Sequence, residues 1–502
     1  MPSREHRRPR VAIVGSGFGG LCMAIQLKRA GIDSFTILEK ADRLGGTWRD
    51  NTYPGAACDS PAFAYCFSFE QKTDWSRKWS PQPEILGYME HCARKYDVLP
   101  HIRFGTEVVD ARFDADAGVW RVRTAAGETI EAEVLVSGVG QLNRPAAPAL
   151  PGLARFRGVS FHSARWRHDV DLAGKDVAVI GNAASAVQFV PQIAPVVKHL
   201  SVFQRSANWM IARNDRAYGE REKRLFARFP LLARAHRWWL WFTYEQRFPV
   251  FRQNRPMSWL MTRVAERNMR ECVPDAALQR ALRPDYPIGA KRILISDDYY
   301  QALGRKNVEV VTGAIERVTE DGIVTRDGRS VPADVIIFAT GFESTAFLVP
   351  MRIEGLEGRV LEEVWKDGAE AYLGVSVAGF PNFFMLYGPN TNLGHNSIIF
   401  MIECQVRYIM DCLRALAERD LAWLDVRTDV MRSYNERLQA ILARSVWAKV
   451  GKSWYKRADG RITNNWSGST VEYWWRTRRA DLRLYRLGAR ARETDAAVAK
   501  VA

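Results

Sequence analysis

Two glycine-loop motifs lie about 165 residues apart in this chain, and few folds accommodate such a pair. The first starts as the apolar stretch Val11-Ala12-Ile13-Val14, continues as Gly15-Ser16-Gly17-Phe18-Gly19-Gly20 and enters a helical stretch from Leu21 to Ala30. In such a strand–turn–helix unit Gly15 permits the tight turn, Gly17 lets the backbone approach a pyrophosphate, and Gly20 allows close packing of helix on strand. The helix N-terminus then faces the phosphate charge. A second strand, Ser34 to Glu39, ends in an acid about 20 residues beyond the loop, where a carboxylate accepts from ribose hydroxyls. Gly15, Gly17, Phe18, Gly20 and Glu39 are therefore expected to bind a dinucleotide. A glycine-rich turn without a ligand is the blander alternative, and the strand, helix and acid in place argue against it.

The second motif reads Val177-Ala178-Val179-Ile180-Gly181-Asn182-Ala183-Ala184-Ser185-Ala186, again strand then helix. Alanine is tolerated at the last position, but the methyl of Ala183 falls where backbone should approach phosphate, so this motif is weaker. The following strand, Leu200 to Ser206, carries Arg205 where an NAD site has an acid, and a guanidinium there suits the 2′-phosphate of NADP. Gly181, Asn182, Ser185, Arg205 and Ser206 are read as the second cofactor site, with a solvated surface arginine as the alternative for Arg205. The expected fold is α/β, with two Rossmann-like dinucleotide-binding domains, the first for FAD and the second for NADPH.

At 502 residues the chain is long enough for two such domains and an insertion. Its seven cysteines form no C-x-x-C pair, so neither a disulfide framework nor a redox dithiol is indicated, no metal site is expected, and a reducing cytoplasm is the expected compartment. Met1 to Arg10 is polar and runs straight into the first strand, leaving no room for a signal peptide. The net charge of +16 raises nucleic acid as a partner, but the cations form no known nucleic-acid motif, and phosphate-bearing cofactors are the simpler explanation.

The expected organisation is a FAD-binding domain over 1–150 and 375–487, an NADPH-binding domain over 151–212 and 286–374, a helical insertion over 213–285 and a flexible tail over 488–502. Within the insertion, aromatics such as Trp238, Trp239 and Trp241 alternate with arginines. No run reaches the ~18 uncharged apolar residues of a membrane span. A helical insertion whose aromatics line a substrate cavity is expected here; peripheral contact of this stretch with a bilayer surface is the alternative. The number of subunits is not legible.

Phe156-x-Gly158-x-x-x-His162-x-x-x-Trp166 between the glycine loops, and Phe338-Ala339-Thr340-Gly341-Phe342 downstream, resemble the fingerprint of Baeyer–Villiger monooxygenases among the class B flavoprotein monooxygenases. Gly45-Gly46-Thr47-Trp48, Tyr53-Pro54-Gly55-Ala56-Ala57-Cys58-Asp59 and Lys291-Arg292 match as well, so the resemblance covers nearly the whole chain. Arg167, where the fingerprint commonly has Pro or Asp, and Ala183 depart from it. N- and S-oxygenating relatives usually carry Phe or Tyr where this chain has Trp166.

The resemblance implies that NADPH reduces FAD, that the reduced flavin adds O2 at C4a, and that the peroxide attacks a small apolar organic substrate, a ketone being expected. It implies that Arg292 stabilises the peroxide, that Asp59 orients Arg292 and tunes the nicotinamide, and that Lys291 joins Arg205 at the 2′-phosphate. Gly46, Thr47, Trp48, Tyr53, Thr340 and Gly341 join the cofactor sites on the same basis, while Phe156, Gly158, His162 and Trp166 couple the domains. Taken alone, Lys291-Arg292 is a basic pair before a strand and Asp59 a helix cap. His395 and Cys58 are read as a loop histidine and a packing cysteine. The alternatives are N- or S-oxygenation and, from another class, a non-catalytic membrane-surface nucleotide-binding protein.

Overall fold

The computed structural model describes residues 8–451 and 453–490. Its frame is a pair of five-stranded, all-parallel sheets. Both faces of such a sheet are covered, so its strands read as continuous apolar runs rather than as an alternation. Val11–Val14 is buried along its whole length and sits at the centre of the first sheet, between Phe35–Leu38 and Val134–Ser137. Ile102–Arg103 and Phe383–Met385 complete it at the two edges.

The second sheet repeats the plan. Asp176–Ile180 is central, flanked by His199–Phe203 and Val335–Phe338, with Val308–Val311 and Val159–His162 outermost. The fingerprint segment is thus built into the second sheet as an edge strand. The glycine-loop helices Phe18–Arg29 and Ala184–Ile193 follow the two central strands.

Two antiparallel meanders went unread in the sequence. One joins Ile315–Thr319, Gly322–Thr325 and Ser330–Pro332. The other joins Val108–Asp114, Val119–Thr124 and Thr129–Ala132, and Arg352–Glu354 adds to its edge in parallel, Arg352 opposite Asp110. That last pairing corrects the boundary expected at 375, because the chain is back on the first unit by Arg352. Three residues with one buried side chain carry too little periodicity to announce a strand. The tail expected from 488 also starts too early. Tyr485–Ala489 pairs with Leu421–Val426, and Arg490 forms an ion pair with Glu133 at 2.6 Å; residues 491–502 lie outside the described ones.

The insertion consists of the helices Glu220–Arg228, Pro230–Glu245, Arg255–Cys272 and Ala276–Ala281. Its fastening points include Arg237, which donates to Phe63 O at 2.7 Å and Cys66 O at 2.8 Å, and Glu245. The Glu245 carboxylate accepts from Thr470 N at 2.8 Å, Thr470 Oγ1 at 2.6 Å and Asn396 Nδ2 at 2.9 Å, and lies 3.4 Å from His395 Nε2. His395, buried against Phe248 and Phe251, is therefore part of this anchor.

Burial alone would raise the Glu245 pKa, but His395, Thr470 and Asn396 outweigh it and hold the carboxyl at about 2, against 4.5 ordinarily. A carboxyl depressed on folding stabilises the fold above its unfolded pKa and loses that contribution as pH falls through the folded value. Glu245→Gln is accordingly expected to melt lower than the parent at neutral pH, with the gap closing as pH falls from about 4.5 toward 2; melting curves across that range check it.

Candidate functional site

Both glycine loops open onto one cavity of about 1410 Å³. They share a backbone geometry. Gly15 and Gly181 take φ values of +96° and +111°, which L side chains rarely adopt. Gly17 and Ala183, the residues before each helix, are both extended, at φ −73°, ψ −171° and φ −90°, ψ −161°. Ala183 is exposed on the cavity wall in a conformation open to any residue, so its methyl brings no backbone strain to the second loop.

Neither helix start has a capping side chain. The first N–H groups of each helix therefore face the cavity without a side-chain acceptor, the arrangement that suits a phosphate. A Cβ on Gly20 would overlap the Gly15 carbonyl oxygen, so glycine is required there by helix–strand packing. A Cβ on Gly17 would meet only Gly46 Cα, at 3.9 Å. Protein packing does not require glycine at 17, whereas a group lying along the loop would. The two loops thus fit the pyrophosphates of two dinucleotides.

Glu39 is more occupied than expected. Its buried carboxylate accepts from Ser16 N at 2.9 Å, Ser16 Oγ at 2.7 Å and Ala41 N at 3.0 Å, and from Arg49 Nη1 at 3.0 Å. A carboxylate has about four lone-pair sites, so a ribose hydroxyl here shares an oxygen with one of these donors. Arg49 went unnoticed in the sequence although it directly follows Gly46-Thr47-Trp48. Trp48 donates to Tyr65 OH at 3.1 Å, and Tyr65 also meets Phe18 edge-on at 5.3 Å. Phe18 is buried in this aromatic cluster while still lining the cavity.

In the second unit Asn182 Nδ2 donates to Gln204 Oε1 at 2.7 Å and to Ser206 O at 3.0 Å, closing the loop against the next strand. Lys291 Nζ donates to Ser206 Oγ at 2.8 Å. Burial and then the nearby Arg205 pull the Lys291 pKa below its ordinary value. Two cations crowded at the cavity wall favour an anion between them, as a 2′-phosphate provides. Thr340 Oγ1 donates to Ala146 O, and Ala146 N to Gly341 O at 2.9 Å, so both residues tie the linker down at the cavity wall.

Arg292 donates to Asp59 in an ion pair that spans 233 residues of sequence. The arginine side chain is 37% exposed and the aspartate 29%, because both open into the cavity. Asp59 raises the Arg292 pKa, fixing its positive charge. Cys58 is buried beside them, and burial pushes its thiol up, so it supplies no thiolate. The charged pair lines the cavity together with Leu386, Tyr387 and Asn392. Tyr387 there donates to Asn392 Oδ1 at 2.7 Å and accepts from Gln141 Nε2 at its carbonyl, 3.1 Å away.

Gln188 was also missed. From the second loop's helix its side chain accepts from Tyr53 OH at 3.0 Å and Ala57 N at 3.3 Å, and donates to Ala57 O at 2.9 Å, which stitches the segment before Asp59 to the second unit. Its signal is only its place one turn into a glycine-loop helix. Trp166 packs on Phe189 of the same helix at 5.2 Å, and Phe189 meets Tyr53 at 6.0 Å. His162 Nδ1 accepts from Ala164 N at 3.1 Å, and burial lowers its pKa, which keeps the imidazole neutral. Arg167 is spent locally, gripping Asp169 at 2.7 and 2.6 Å on the surface.

The aromatics of the insertion do not line this cavity. None of residues 213–285 lines it; of the insertion's aromatics, Trp238 and Trp241 wall a separate cavity of about 800 Å³ instead. The helix pattern announced an amphipathic insertion but not which neighbour its face would meet.

Comparison with known proteins agrees with this geometry. A family model described as flavin-binding monooxygenase-like matches residues 8–357. A Baeyer–Villiger monooxygenase of Streptomyces coelicolor is 44% identical over 500 residues, covering 98% of this chain and 96% of that protein. Among solved structures, an oxidized steroid monooxygenase bound to NADP superposes with a TM-score of 0.87 at 30% identity, covering 97% of this chain and all of that one. A complex of OTEMO with FAD and NADP gives 0.86 at 26% identity over 96% of this chain and all of that one. With both nucleotide loops, their junction and nearly the full length matched, the chain belongs to the flavin-binding monooxygenase-like family, as an FAD- and NADPH-dependent monooxygenase.

Proposed function

We propose that this enzyme carries out Baeyer–Villiger oxidation, in which a ketone, O2, NADPH and a proton give an ester or lactone, NADP⁺ and water. The observation that carries the reading is the Arg292–Asp59 pair, a fixed positive charge held on the wall of a cavity that both glycine loops enter. Bound FAD supplies the oxygen chemistry, and the protein supplies orientation and electrostatics.

In this reading Arg292 faces the negative charge that develops during oxygen transfer, where a preorganised cation in a partly dehydrated site is most effective. Asp59 keeps the guanidinium in place and prevents it from swinging toward other acceptors. Gly15, Gly17, Gly20 and Glu39 hold FAD together with Gly46, Thr47 and Trp48. Gly181, Asn182 and Ser185 hold the NADPH pyrophosphate, and Arg205, Ser206 and Lys291 its 2′-phosphate. The apolar residues Leu348, Met351, Leu393 and Ile398 on the cavity wall suit an apolar ketone. Product analysis with a panel of ketones, sulfides and amines tests the reaction class, and sulfoxide or N-oxide as the main product would overturn it.

Coenzyme choice follows from the paired cations. Two charge-assisted contacts of about 1.5–3 kcal/mol each make NADPH strongly preferred over NADH, and Arg205→Ala is expected to reduce kcat/KM for NADPH by roughly ten- to a hundredfold with little change for NADH. Steady-state kinetics with both coenzymes measure this.

Reduction and oxygenation separate at Arg292. Arg292→Ala is expected to bleach the flavin with NADPH under anaerobic conditions yet to form little oxygenated product, a loss of about 3–4 kcal/mol if the guanidinium acts as an oxyanion-type donor. Asp59→Ala, which frees the arginine and alters charge near the nicotinamide, is expected to slow both half-reactions. Rapid-mixing absorbance, first without oxygen and then with it, resolves the two steps.

A further inference from the structure

On the Pro230–Glu245 helix, Leu231, Ala235, Trp238, Trp239 and Phe242 fall at intervals of four, seven, eight and eleven residues, which is one face of an α-helix. That face is open. Leu231 is 75% exposed, Trp238 58%, Trp239 62% and Phe242 49%. Single exposed apolar residues need no explanation, but a row of this size marks an interaction surface. Trp238 also joins Trp241, Phe400 and Trp474 in walling a second cavity of about 800 Å³, and Trp475, next to Trp474, is 59% exposed.

Charge gathers on the same segment. Residues 213–285 hold sixteen Arg and Lys against eight Asp and Glu, so about a seventh of the chain carries half of its net +16. On the adjoining Glu220–Arg228 helix the two acids are taken by Lys223 and Arg216. Arg221, Arg224, Arg228 and Arg234 are left exposed, with no ion pair among the described residues. On the wall of the cavity Arg407 stacks on Trp474 at 5.1 Å, and Arg478, also on that wall, stacks on Trp475 at 3.8 Å.

We propose that this face docks the enzyme on an anionic lipid bilayer. Indole and phenyl rings enter the headgroup region with their apolar bodies down, and the unpaired arginines meet lipid phosphates. No described helix is long and apolar enough to cross a membrane, so the contact is with the surface. A second copy of the chain is a poorer occupant. A two-fold contact through this patch would set the arginines of one protomer against those of the other. Docking also brings lipid to a wall shared with the chemistry, since Asn396 borders both cavities.

The test is sedimentation of the flavin-loaded enzyme with vesicles of phosphatidylcholine alone and of equal parts phosphatidylcholine and phosphatidylglycerol, at low and high salt. The parent is expected to pellet at least tenfold more with the anionic vesicles at low salt and to be released by high salt. Trp239→Ser with Phe242→Ser, and separately Arg228→Glu with Arg234→Glu, should each lower the bound fraction at least tenfold. These exposed positions leave flavin content and NADPH oxidation in solution at the parental level, which verifies the fold of each variant. The proposal is overturned if the parent fails to pellet with anionic vesicles or if either variant pellets as the parent does. It is equally overturned if the parent sediments as a dimer that both variants dissociate, for then the face is a contact between copies.

Discussion

The ion pair between Arg292 and Asp59 is the contact on which the site depends, because its two members come from different units of the fold. A guanidinium in a partly dehydrated cavity is costly unless a counter-charge stays beside it, and removing one partner leaves the other unpaired in that cavity. The pair therefore exists only while the two units stay docked. It does not hold them together by itself: the three hydrogen bonds of Gln188 to Tyr53 and Ala57 fix the segment that delivers Asp59. A Cβ on Gly55 would press on the Gln188 carbonyl oxygen at 2.7 Å, so the close approach of helix and loop needs glycine at that point.

The frame that sets this docking is a duplication. Each unit places its glycine-loop strand at the centre of a parallel sheet and turns the following helix N-terminus to the same cavity. The repeated backbone angles at Gly15 and Gly181, and at Gly17 and Ala183, mean that one loop geometry is used twice. What differs is the next strand, which ends near Glu39 in one unit and near Arg205 in the other. One carboxylate is enclosed by donors, and the other position is a cation crowded by Lys291. The same scaffold thereby carries opposite charges at equivalent places.

Much of this was legible in the chain because buried parallel strands are unbroken apolar runs, and Val11–Val14, residues 177–180 and Val335–Phe338 stand out as such. The glycine loops and the Lys291-Arg292 pair were legible as motifs. Contacts between distant segments were not. Gln188, Arg49 and Tyr387 act through partners that the fold alone brings near, and polar residues inside a helix or loop carry no periodic signal. Arg352–Glu354 is too short to read, and its pairing depends on an edge offered by another meander. For the insertion, periodicity revealed an apolar face, but whether that face meets a cavity or solvent is a property of the docked helix.

The fingerprint segment shows how spacing becomes mechanics. A Cβ on Gly158 would overlap the Asp334 carbonyl oxygen, so glycine is required for Val159–His162 to lie down as the outer strand beside Val335–Phe338. Three residues after Gly158 the strand buries Phe161, and the next residue, His162, caps the turn Ser163–Arg165 by accepting from Ala164 N. Because burial keeps that imidazole neutral, it serves as an acceptor rather than a charge. The turn then drops Trp166 between Phe161 at 5.3 Å and Phe189 at 5.2 Å, and Phe189 in turn meets Tyr53. A continuous line of rings thus runs from the edge of the second sheet to the loop that presents Asp59. Rigid, packed aromatics transmit position well because interiors are close-packed and displacements are not absorbed locally. The fingerprint thereby reaches Tyr53, in the segment that leads to Asp59, through ring contacts alone.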